Sequence, residues 1–185
     1  MDLAGFLTEH RPAILERWRQ MIFDSYPPEA ARFLRGERDR FHNPVGYTIL
    51  RGTEVVFDGF VLGRETGSVA EALEAMVRLR AVQDYSPSQA VALVFWLRRV
   101  IRQHLREYPV GAELRQELLG LEDRIDQLAL SAFDLYMGCR ERIFEIRTQE
   151  IKRRTASLWQ RLENAAEESV QHAGEGVQLE GGCVP

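Results

Sequence analysis

Residues 78–106, RLRAVQDYSPSQAVALVFWLRRVIRQHLR, join a short polar turn to the most apolar helical stretch of the chain. Ser86 is placed to accept hydrogen bonds from the free N–H groups of a first helical turn, and Pro87 occupies a position where no N–H is needed. Asp84 stands just before this cap and within reach of Arg78 and Arg80, which predicts a salt bridge that clamps the loop. The next residues, 90–97, read AVALVFWL and carry no charge. A helix apolar nearly all round has neighbours on most sides. The segment is therefore the expected centre of an all-α, compact helical bundle.

On the N-terminal side the apolar positions Phe6, Leu7, Ile14, Leu15, Trp18, Met21 and Ile22 recur at helical spacing. Pro12 fits the opening turn of a second helix, so a first one ends near Thr8 or Glu9. Residues 28–35 read as a short helix closed by Gly36. Asn43 and Pro44 repeat the cap logic of Ser86 and Pro87. The helix they open contains Gly52 and Gly59, which count against its being straight. Ser68 or Thr66 caps the helix that leads into the central turn.

Beyond Gly111 the pattern changes. Leu114, Leu118, Leu121, Ile125, Leu128, Ala132 and Leu135 follow an unbroken 4,3 spacing, a heptad seam. It stutters at Gly138 and Cys139, then resumes, displaced, as Phe144, Ile151 and Leu158, seven apart, with Leu162. If unbroken, a helix over residues 112–166 is on the order of 80 Å long, too long for a compact domain of this size, so part of it is expected to project or to pair with a second chain. Leu114, Leu118, Leu121, Ile125, Leu128, Phe144, Ile151 and Leu158 are the oligomer seam candidates, the first half expected to be core and the second interface. The reading divides the chain into a helical regulatory domain, 1–137, a helical extension, 138–170, and a disordered tail, 171–185.

The chain has 185 residues, 45% hydrophobic and 28% charged, with a net charge of -4. That balance argues against a general nucleic-acid binder, which needs a basic surface. Residues 140–161 carry seven positive and three negative side chains, read as the solvated exterior of a coiled coil. No apolar run reaches the roughly 20 residues of a membrane span. No secretory leader is evident. Cys139 and Cys183 are too few for a disulfide framework, so a cytoplasmic location is expected.

Candidates for chemistry are sparse. His10, His42, His104 and His172 are never three or four apart, so no metal site is predicted. His104, on the central helix, is the candidate ligand residue through which a haem could be held; the plainer reading is a histidine near a helix C-terminus, favoured there by the dipole. His42, followed by Asn43 and Pro44, only superficially matches a phosphoacceptor box. Asp58, Glu65, Asp84 and Glu107 could serve as acids or bases, but nothing nucleophilic accompanies them. No catalytic residue and no cofactor is expected.

The segments ERWRQMIFDSYPPEAARFLRGERDRFHNPVG and RLRAVQDYSPSQAVALVFWLRRVIR, in that order, resemble the N-terminal domain of the RsbT co-antagonist RsbRD family, over residues 14–137. The resemblance implies a non-enzymatic sensory or regulatory domain of bacterial stress signalling, with a globin-like helical sensor among related proteins. In that family such domains precede a phosphorylatable STAS domain. None follows here, so the likeness is to free-standing members. The heptad seam adds the expectation that the long helix pairs two copies or passes a state change to a protein partner. The alternatives are a small-molecule or haem binding module, or an accessory factor of a respiratory redox complex, peripherally associated with a membrane.

Overall fold

A computed structural model describes residues 2–36, 41–64, 68–108 and 111–177. Glu65, Thr66, Cys183 and the last eight residues of the expected tail lie outside them. The described residues form seven α-helices and one π-helical segment, with no strand. Two compact units are distinguished, Met1–Arg140 and Glu141–Pro185.

In the first unit, α1 (Leu3–Glu9) opens with the Asp2 carboxylate accepting from Gly5 N at 2.8 Å. His10 ends α1 and begins α2 (Arg11–Asp24), with Pro12 in the first turn as its fixed φ requires. Helix α3 (Pro28–Gly36) buries Ala31 and Leu34. The side chain of Asn43 does two things at once: Oδ1 accepts from Gly46 N at 2.8 Å and Nδ2 donates to the Leu34 carbonyl at 3.0 Å. It thereby caps α4 (Pro44–Val55) and ties it to α3. Gly46 is needed there, because a Cβ would stand 2.7 Å from the Leu34 carbonyl oxygen.

The doubt about a straight helix across Gly52 and Gly59 resolves into two different causes. Gly52 lets α4 approach α5 (Val69–Val82) closely; a Cβ would stand 2.7 Å from the sulfur of Met76. Past Val55 the chain widens into a π-helical segment, Val56–Val61, where Leu62 N donates to Phe57 O at 3.1 Å, five residues back. The extra residue turns Asp58 towards Arg11, which meets it with two hydrogen bonds of 2.6 Å.

Helix α6 (Pro87–Arg106) is capped by Ser86, and Gln89, which the sequence reading leaves out, completes a capping box: Ser86 Oγ accepts from Gln89 N at 3.3 Å while Gln89 Oε1 accepts from Ser86 N at 2.9 Å. Ala90, Leu97 and Val100 are wholly buried. The Trp18 indole, also wholly buried, donates to the Leu93 carbonyl at 2.7 Å and fixes α2 against α6. One side of α6 stays open, however, with Phe95 41% exposed. Helix α7 (Ala112–Val177) runs past residue 170, where the sequence reading ends it.

Candidate interaction site

The 4,3 row of α7 and its displaced continuation have different fates. Leu114, Leu121, Ile125 and Leu128 are buried in the core of the first unit, and Leu118 packs against that core half-buried. These five form the half of the seam expected to be core, and their apolar face is covered by the same chain. Side-chain pairs hold the row in place. Arg98 bonds Asp126 at 2.6 Å, and the Arg102 fork grips the buried Glu122, Nη2 to Oε2 at 2.6 Å. Arg124 donates to the Phe60 carbonyl and stacks on its ring at 4.9 Å, engaging the π-helical segment.

In the second unit the displaced row faces solvent. Phe144 is 71% exposed, Ile151 64% and Leu158 59%. Around them the charges pair locally, Glu150 taking Arg153 at 2.8 Å and Arg154 at 2.7 Å. Hydrogen bonds from Arg154 and Arg153 hold the Glu150 carboxyl below its usual range. Such local pairing suits a solvated face.

The first unit has its own apolar surface. A groove of about 780 Å³ between α6 and α7 is lined by Val91, Ala92, Phe95, Ala129, Leu130 and Phe133, with Arg98 and Asp126 at its edge. Leu130 and Phe133 are exposed. Contiguous exposed apolar surface of this kind marks contact sites.

The loop before Ser86 is clamped as expected, but by another residue. Asp84 pairs with Arg140 of α7 at 2.6 Å, and the same Nη1 donates to the Ala81 carbonyl at 3.1 Å. The hydrogen bond to Asp84 raises the Arg140 pKa above its usual value. Tyr136 adds a hydrogen bond to the Tyr85 carbonyl at 2.5 Å. Arg80, one of the two arginines nearest in sequence, turns into the protein interior instead, 1% exposed. Asp84 has φ 57°, the left-handed region, which Asp and Asn tolerate better than branched residues. Asp84→Val is expected to lose roughly 1–2 kcal/mol from that strain, whereas Asp84→Gly keeps the backbone relaxed; comparing the urea midpoints of the two variants checks this.

The histidines, dispersed in sequence, do not stay apart. His10 and His104 meet edge to face with ring centroids 4.7 Å apart, joined by Phe6 and by Tyr108, 4.7 Å from His10 and 5.5 Å from His104. The His104 side chain is 12% exposed, its Nδ1 lies 3.8 Å from Glu107, and its Nε2 is buried with no hydrogen-bond partner. Glu107 also reaches Arg17 at 3.7 Å. The groups packed on the imidazole are thus rings, not an open cleft of the kind a haem plane needs. Burial, reinforced by His10 and Arg17 and opposed by Glu107, holds the His104 pKa below that of a free imidazole. The unfolded chain takes up this proton first as pH falls. Stability is therefore full above about pH 6.5 and declines on acidification towards the lower folded value. A lower melting temperature at about pH 5.5 than at about pH 7.5, with a smaller difference in His104→Gln, is the expected result.

Of the candidate acids, Asp58 is taken up by Arg11, and Glu107 by Arg17 and His104. His42 is an exposed residue just before the Asn43 cap. No group of three or more His, Cys, Asp or Glu able to hold a metal occurs among the described residues, and none of their helices is long and apolar enough to cross a membrane. Sequence reasoning missed the partners that come from afar: Arg140, Tyr136 and the His10–His104 contact. No curated protein and no solved structure is a significant match to the chain. Residues 12–151 match the family model described as the RsbT co-antagonist protein rsbRD N-terminal domain. With its all-helical fold, and with the match covering most of its length, the chain belongs to that family.

Proposed function

We propose that the protein is a non-enzymatic regulatory domain of stress signalling that works as a homodimer and acts on a protein partner. The observation that carries this reading is the row of Phe144, Ile151 and Leu158, large apolar side chains at seven-residue intervals, all exposed on a charge-rich helix. Burying such a row against its counterpart on a second helix is the basis of coiled-coil pairing. The same register places Thr148, Thr155 and Leu162 beside the row and Arg147, Arg154 and Arg161 on its flank. Antiparallel helices would set those arginines against one another. Parallel helices bring Arg154 beside Trp159 of the second copy, a favourable cation–π approach. The apolar groove between α6 and α7 suits a protein contact better than a small polar substrate.

A parallel dimer makes residue 151 of one copy the neighbour of residue 151 of the other. Ile151→Cys, in a chain whose Cys139 and Cys183 are replaced by serine, is expected to form a disulfide-linked dimer on mild oxidation. A chain that stays unlinked under the same oxidant contradicts the parallel pairing.

A further inference from the structure

Arg80 is 1% exposed, and its surroundings are aromatic. The guanidinium carbon lies 4.4 Å from the Tyr85 ring centroid, 4.7 Å from that of Tyr26 and 5.9 Å from that of Trp96. Among the described residues it pairs with no carboxylate. Nη2 makes one long hydrogen bond, to the Ile22 carbonyl at 3.3 Å, and Nη1 is buried without a partner. The Tyr26 hydroxyl is likewise buried and unpartnered. The other cage phenol is used: Tyr85 donates to the Ser25 carbonyl at 3.2 Å.

A buried charge without a counter-ion is costly, and stacking on ring faces leaves the edge donors of the guanidinium unsatisfied. What this cage lacks is a small group carrying negative charge and oxygen lone pairs. Desolvation pushes the Tyr26 pKa up, so the phenol keeps its proton and remains a donor. Tyr26 is also shared with a surface cleft of about 460 Å³ lined by Asp24, Pro28, Ala31, Arg32, Arg35 and Gly36. Arg35 at its wall is paired with Asp24, and the charge of Arg32 beside them favours the approach of anions.

We propose that Arg80 and Tyr26 form an internal binding site for a small oxygen-bearing anion, a carboxylate or an inorganic oxyanion, entered from the cleft beside Tyr26. The Arg80 fork suits a planar carboxylate better than a tetrahedral ion. The site also touches the clamped loop, because Tyr85 both walls the cage and accepts from Tyr136 of α7. The proposal does not depend on dimerisation.

The test is a thermal-shift titration of the full chain with sodium formate and acetate in one arm and phosphate and sulfate in the other, with sodium chloride holding ionic strength constant. A ligand that binds only the folded state raises the melting temperature with its concentration. The expected result is a rise beyond that in chloride alone, larger for the carboxylates; a response confined to phosphate or sulfate would assign the site to an oxyanion. Tyr26→Phe, which keeps the ring, is expected to need about tenfold more anion for the same shift, the worth of one charge-assisted hydrogen bond. No shift beyond chloride in either arm, or a Tyr26→Phe variant that responds at the same concentrations as the parent, overturns the proposal.

Discussion

Replacing Trp18 by alanine is expected to lower the unfolding free energy by about 3–5 kcal/mol, the cost typical of truncating a buried aromatic. The indole is wholly buried on α2 and joins α6 through the bond to the Leu93 carbonyl. Truncation thus removes packing and a tertiary hydrogen bond together. Trp18→Phe separates the two, since it keeps most of the apolar volume and loses the donor, which accounts for roughly 1 kcal/mol. Urea unfolding followed by far-UV circular dichroism reads both. A Trp18→Ala midpoint close to that of the parent chain would mean that the contact between α2 and α6 is not the pillar of this core.

The second large effect is on association rather than on folding. Changing Phe144, Ile151 and Leu158 together to glutamate is expected to abolish self-association while leaving the melting temperature of the first unit within a few degrees. The row lies in the second unit, and none of its three side chains is buried in the chain's own core. Their replacement removes the proposed seam, and like charges facing across it repel. The same triple change at Leu121, Ile125 and Leu128 should unfold the chain instead, because those positions are buried. Light scattering coupled to size exclusion, with a thermal melt of the same samples, distinguishes the two outcomes.

How legible these features were depends on the distance over which each is decided. The Asn43 and Ser86 caps, the prolines after them and the end of α3 at Gly36 are written in neighbouring residues, and local hydrogen bonding alone makes them readable. The 4,3 spacing from Leu114 announces a buried stripe but not its partner. Core and interface demand the same apolar pattern, and only the fold covers Leu121 while leaving Ile151 open. The π-helical segment at Val56–Val61 has no comparable local signature. The pairing of Arg11 with Asp58 and the contact of His10 with His104 join residues far apart in the chain, and no spacing rule reaches them. Arg80 did leave a trace. Leu73, Met76, Val77 and Arg80 fall at i, i+3, i+4 and i+7 of one helix and share its buried face. An arginine on that stripe is the signal from which the aromatic cage could have been suspected.

The claim on which the functional account rests is that the exposed row of α7 pairs two copies of the chain. Sedimentation equilibrium of the full chain, from sub-micromolar concentration upwards, tests it most directly. The mass is expected to rise with concentration from that of the 21.3 kDa chain to twice that value and no further. A mass that stays at 21.3 kDa up to the solubility limit would contradict the claim.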